Sequence, residues 1–160
     1  MYYSDLRFKM SASIKEKISS TRLFFTEFEV ITIPLFRVSS VLNRDVKQFG
    51  KKYLFDGDDE TCWNSDQGSP QWIQVEFKVP VIIQELHLQF QGGFAGKDCI
   101  IEGAQSGEEL TKLADFYPED VNKTQKETSV SLLRITFNNS TDFFGRITVY
   151  KLDIVGSSTS

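Results

Sequence analysis

The sequence predicts an all-β fold, a β-sandwich or jelly roll, and three observations carry that prediction. Short segments with strict apolar–polar alternation recur from Arg37 onward. Turn-forming clusters separate them at brief intervals: DGDD at 56–59, NSDQGSP at 64–70, QGGFAG at 91–96, YPED at 117–120 and NNSTD at 138–142. Phe is common, 14 in 160 residues, and Phe suits strands and buries a large surface.

In chain order, residues 1–36 differ from the rest and read as an N-terminal extension whose order the sequence leaves open. SASIKEKISSTRLFFTEF (11–28) has loose helical spacing at Ile14, Ile18 and Phe25, opening near Ser11 or Ser13. EVITIPLF (29–36) reads as a strand broken by Pro34, and Met10 offers a second start of translation. The domain proper is expected over 37–156, with 157–160 as a tail. VKQFGKKYLF (46–55) is the only helical-looking part of it, and Gly50 weakens that reading. WIQVEF (72–77) places Ile73, Val75 and Phe77 on one face. VIIQELHLQF (81–90) reads as a second strand with Ile82, Leu86, Leu88 and Phe90 inward and Ile83, Glu85, His87 and Gln89 outward. SLLRITF (131–137) groups Leu133, Ile135 and Phe137. RITVYKLDIV (146–155) is apolar on both faces for part of its length, as in a strand covered from both sides.

A net charge of −4 argues against nucleic acid as the main partner, because phosphate contacts need a basic face. No window has the apolar length of a transmembrane helix, and Asp5, Lys9, Lys15 and Glu16 interrupt any signal-peptide core. Two cysteines, Cys62 and Cys99, are too few for a disulfide framework, which favours a reducing, intracellular compartment and free thiols. The glycosylation-type triplets at Asn122, Asn138 and Asn139 then read as polar turns.

Chemistry is sparse. Asp56-Gly57-Asp58-Asp59-Glu60 lacks the spacing of an EF-hand, so it reads first as a turn with Gly57 in a conformation other residues avoid, although its oxygens are of the hard type calcium takes. The single histidine, His87, sits mid-strand with no placed partner, and no catalytic or nucleotide motif is present, so no enzymatic activity is expected. Cys62 and Cys99 lack zinc-site spacing. Trp63 and Trp72 adjoin apolar strands and read as core ahead of a sugar-stacking platform. Phe94 in QFQGGFAGKDC is either a contact residue on a Gly-rich loop or a plug folded back on the core, and the sequence leaves the two open.

RVSS, then LFDGDDETCWNSD, then WIQVEF, in that order, resembles the discoidin-like, coagulation factor five/eight type C family. The resemblance covers about residues 37–156 and implies a jelly roll of galactose-binding-like topology. Asp56-Gly57 would be its signature turn, locked to the core by Thr61 and Trp63. It also implies that Asp56 and Thr61 match positions that hold a structural calcium in several members, with no other cofactor. Loops at one end of the fold carry recognition in the family, which points to Gln91, Phe94 and Lys97 as partner-binding residues. Members that share RVSSVLN, QFGKK, ETCWNSDQG, QFQGGF, DFYPED and TDFFGR imply a protein partner, an orphan nuclear receptor. They imply further a non-enzymatic repressor of receptor-driven transcription in the nucleus or cytoplasm, with no direct contact to nucleic acid or membrane. No LxxLL helix is present, so a receptor would be met by the folded surface. The rival readings are a glycan-binding module, with a small sugar ligand, and a substrate-recognition domain of a ubiquitin-ligase assembly.

Overall fold

The computed structural model describes residues 3–9, 21–22, 34–116 and 128–159. Most of the helix expected within 11–28, the YPED turn and most of EVITIPLF lie outside the described residues; the described part of 11–28, Thr21–Arg22, is a short strand paired with Val155 and Gly156 and not helix. Among the described residues there are nine strands: β1 (Tyr3–Lys9), β2 (Thr21–Arg22), β3 (Leu35–Val38), β4 (Trp63–Asn64), β5 (Gln71–Gln91), β6 (Gly96–Ala104), β7 (Thr111–Phe116), β8 (Ser129–Ser140) and β9 (Thr148–Ser158). All described pairings are antiparallel.

The two strands expected at 72–77 and 81–90 are one strand, β5, 21 residues long. Its first part pairs with β3 and β8 as far as Glu76. From Val81 it pairs with β9, and from Glu85 also with β1. The ladders therefore break around Pro80, which has no N–H to give them. There the strand passes from one layer to the other, so β7-β6-β8-β5-β3 makes one layer and β5-β9 with β1, β2 and β4 makes the second. Phe90 from the second layer and Phe137 from β8 meet edge to face at 5.7 Å across the interior.

Alternation gives the core as the sequence suggests at Ile73, Val75 and Phe77 and at Leu133, Ile135 and Phe137, all buried. It fails at one place. Ile83 is buried and Ile82 is not, because the pairing with β9 shifts register between Ile83 and Glu85. That bulge inserts one residue, so Val81 and Ile83 face inward before it and Leu86, Leu88 and Phe90 after it. At the start of β9, Thr148 to Tyr150 are buried consecutively, directly after buried Ile147, as expected of a strand covered on both sides.

The helical reading of 46–55 becomes two short pieces. Helix α1 (Val46–Phe49) is capped by Asp45, whose Oδ1 accepts from the Lys47 and Gln48 amides at 3.1 Å each. Gly50 is extended there, and a Cβ on it would lie 2.3 Å from the Val46 carbonyl oxygen. The chain then re-enters as a 3₁₀ turn over Lys51–Leu54.

A rigid loop cluster as the candidate binding site

Three loops are tied together by the strands they join: 65–70 between β4 and β5, 92–95 between β5 and β6, and 141–147 between β8 and β9. Ser65, fully buried, fixes the first to the third. Its amide donates to the Ile147 carbonyl and its hydroxyl accepts from the Ile147 amide, both at 2.8 Å. Ala95 fixes the second to the third, its carbonyl accepting from the Thr141 amide and its amide donating to Thr141 Oγ1, both at 2.9 Å. The RVSS segment explains itself here. Ser39 and Ser40 both donate hydroxyls to Gln71 Oε1, and Gln71 Nε2 donates to the Gly68 carbonyl at 2.8 Å. Ser40 also accepts the indole N–H of fully buried Trp63 on its carbonyl at 2.9 Å.

The 141–147 loop turns through Gly145 at φ +81, with the Gly145 amide donating to the Asp142 carbonyl at 3.1 Å. Asp142 grips Arg146 through both oxygens: Nε to Oδ2 at 3.0 Å and Nη2 to Oδ1 at 3.1 Å. Those hydrogen bonds hold the Asp142 carboxyl below its ordinary range. The guanidinium lies 5.1 Å from the Phe94 ring centroid and 5.6 Å from that of Phe144. Outside them stands Phe143, 94% exposed, against Phe144, 54% exposed, with perpendicular rings 5.3 Å apart.

Of the residues singled out in the sequence, Phe94 is half-buried beneath Arg146, its amide bonded to the Gln91 carbonyl and its carbonyl to the Thr148 amide. Gln91 ends β5 half-buried, and Lys97 is exposed on β6. The exposed aromatic pair of this cluster is Phe143–Phe144, which reasoning from the sequence passed over. The signal was there: two adjacent Phe between a polar turn and Gly145-Arg146 cannot both face one core.

Asp56 and Thr61 come together in the turn, but on each other. Asp56 Oδ2 accepts from the Thr61 hydroxyl at 2.6 Å, and Oδ1 accepts from the Asp58 amide at 3.0 Å. Each carboxylate oxygen thus accepts a hydrogen bond inside the turn, and the side-chain oxygens of Asp56 and Thr61 alone fall short of the six or more that a calcium takes. Among the described residues no group of three His, Cys, Asp or Glu is placed to hold a metal. Between this turn and α1 opens a cleft of about 520 Å³ that reaches Tyr53 and Cys62. Cys62 and Cys99 are free thiols. Burial pushes the Cys62 thiol up, and burial with the Asp98 charge pushes Cys99 up to about 12, so neither is set up as a nucleophile. His87 Nε2 lies 2.8 Å from Glu85 Oε1, without the alignment of a hydrogen bond. Trp72 is half-buried under the Arg134 guanidinium at 4.9 Å.

Residues 53–143 match the F5/8 type C family model described as a NedA-like, galactose-binding domain. The chain is similar to the nuclear receptor 2C2-associated protein of Xenopus laevis, 66% identical over 124 residues that cover 75% of this chain and 91% of that one. The Homo sapiens protein of the same name is 51% identical, over 75% of this chain and 89% of its own. Among solved structures, a chitosan-binding module of a Paenibacillus sp. IK-5 chitosanase/glucanase superposes with a TM-score of 0.64 at 17% identity, covering 84% of this chain and 98% of that one. The C-terminal domain of a Bacteroides fragilis chitobiase does so at 0.63 and 16%, covering 81% and 97%. At such identities the two share the fold.

Proposed function

Because this chain belongs to the F5/8 type C family of galactose-binding-like domains, we propose that it serves as a non-enzymatic protein-interaction module that associates with a nuclear receptor and represses receptor-driven transcription. One observation carries this reading: 66% identity over 124 residues to a relative named for its association with nuclear receptor 2C2. The loop cluster supports it as a binding end, with Gln91, Phe94 and Lys97 around the 92–95 loop and a frame held by buried hydrogen bonds. Binding sites on rigid frames lose little entropy on association. Free thiols suit a reducing compartment such as the nucleus or cytoplasm. The experiment is calorimetric titration of the full chain against purified nuclear receptor 2C2, paired with a receptor-driven reporter. Saturable binding and a lowered reporter signal are expected. Absence of both, with saturable binding on a glycan array that Trp72→Ala abolishes without unfolding, would replace this reading with a glycan-binding module.

A further inference from the structure

We infer that Phe143 and Phe144 form a preorganised two-ring anchor that inserts into an uncharged, apolar groove on the folded protein partner; this rests on the proposed receptor association and names the surface that makes it. At 94% exposure Phe143 contributes almost no burial to its own domain, and an aromatic ring left in water calls for a partner. Its neighbour Phe144 is backed by the Arg146 guanidinium, itself resting on Phe94. The turn is fixed on its other side as well: the Gly68 amide donates to the Phe144 carbonyl at 2.8 Å. The backbone that carries both rings is therefore fixed before any partner arrives, which removes an ordering cost from association.

The chemistry of the tip selects the occupant. The tip projects, so the concavity has to come from the partner. The two charges at its base, Asp142 and Arg146, are closed on each other by two hydrogen bonds, which leaves no net charge to seek a phosphate or an anionic surface. A sugar stacked on Phe143 would need several neighbouring polar groups for its hydroxyls, and Asp142 and Arg146 are engaged with each other, which leaves the Ser69 hydroxyl beside Gly145. An apolar groove with a polar rim, the usual counterpart of an aromatic hot spot on a protein surface, is what remains.

The test uses the full chain and its Phe143→Ala and Phe143→Asp variants, titrated against purified nuclear receptor 2C2, with thermal melts alongside. The expected result is binding by the native chain, weakened roughly tenfold or more by Phe143→Ala and further by Phe143→Asp, with melting temperatures unchanged. Native binding untouched by either variant overturns the anchor and leaves the receptor association standing. No binding by the native chain overturns the association and the anchor with it. Partition of the native chain onto vesicles of phosphatidylcholine and phosphatidylserine, lost in Phe143→Ala, overturns the protein groove in favour of a lipid surface.

Discussion

Gly145→Ala and Gly57→Ala, made separately, isolate what holds the aromatic loop in place. The two glycines have nearly the same backbone, φ +81 and φ +75. Placing a Cβ in that left-handed region costs about 1–2 kcal/mol. Alanine gives back about 0.4–1 kcal/mol by narrowing the unfolded ensemble. Around Gly57 a Cβ meets nothing within 4 Å, so Gly57→Ala should cost about 1 kcal/mol or less. Around Gly145 the added Cβ would stand 2.8 Å from Ser69 Oγ and 2.9 Å from both the carbonyl carbon and oxygen of Gly68. Ser69 can rotate, but the Gly68 backbone cannot. One loop has to move, which puts at risk the Gly68–Phe144 and Gly145–Asp142 backbone hydrogen bonds. At about 1 kcal/mol net for each, Gly145→Ala should cost about 2–4 kcal/mol in all. For a domain of this size that corresponds to a melting temperature lower by about 5–12 °C. Circular dichroism melts and urea titrations of both variants give the comparison. If the two stabilities agree within about 0.5 kcal/mol, the contact between loops 65–70 and 141–147 does not hold the aromatic turn, and the reasoning from preorganisation fails.

Three further outcomes are expected. A calcium chelator should leave the melting temperature unchanged, since the Asp56 carboxylate is satisfied by Thr61 and the Asp58 amide; a clear fall would reveal a cation stabilising the native state by mass action. Asp142→Asn should lower the melting temperature at neutral pH, and the gap to the native chain should close in acid. The folded Asp142 carboxyl titrates below its unfolded value, so its contribution is present above that value and is lost as pH falls through the folded one; a gap that stays constant from neutral pH into strong acid would refute the pairing. Alkylation at mildly alkaline pH should spare Cys99 in the folded protein and reach it in urea, as peptide mass mapping would show; equal labelling in both conditions would contradict its burial.

Much of the fold was legible because one physical signal, period-two alternation, marks a half-buried strand wherever the ladder is regular. Ile73, Val75, Phe77, Leu133, Ile135 and Phe137 follow from it directly. The same signal misplaced Ile82 and Ile83 because a bulge changes parity by one residue, and nothing in the composition of VIIQEL announces one. The segments 72–77 and 81–90 read as two strands, whereas Pro80 between them marks the corner where the single strand β5 changes layers. Gly50 looked like a weakness inside a helix, whereas it is the residue that lets α1 and the 3₁₀ turn meet over Val46. The loop cluster was harder. Its cohesion comes from pairs such as Ser65 with Ile147 and Ala95 with Thr141, separated by 82 and 46 residues, and sequence patterns carry little information at such range.

The motifs that mark the family also prove to be one mechanical assembly, which bears on what sequence variation the binding end can tolerate. Ser39 and Ser40 hold Gln71, Gln71 holds Gly68, and Gly68 holds the Phe144 carbonyl. Ser40 is also the acceptor for Trp63, so the indole in the core and the aromatic tip hang on one chain of hydrogen bonds that passes from RVSS through NSDQGSP to TDFFGR. Buried polar networks of this kind are strong when every member is satisfied and costly when one is removed. Phe143 stands outside that network, bonded to none of its side chains and almost wholly in water. Substitution at Phe143 is therefore free to alter recognition without touching the fold, whereas substitution at Ser40 or Gln71 should disturb the fold first and recognition only through it.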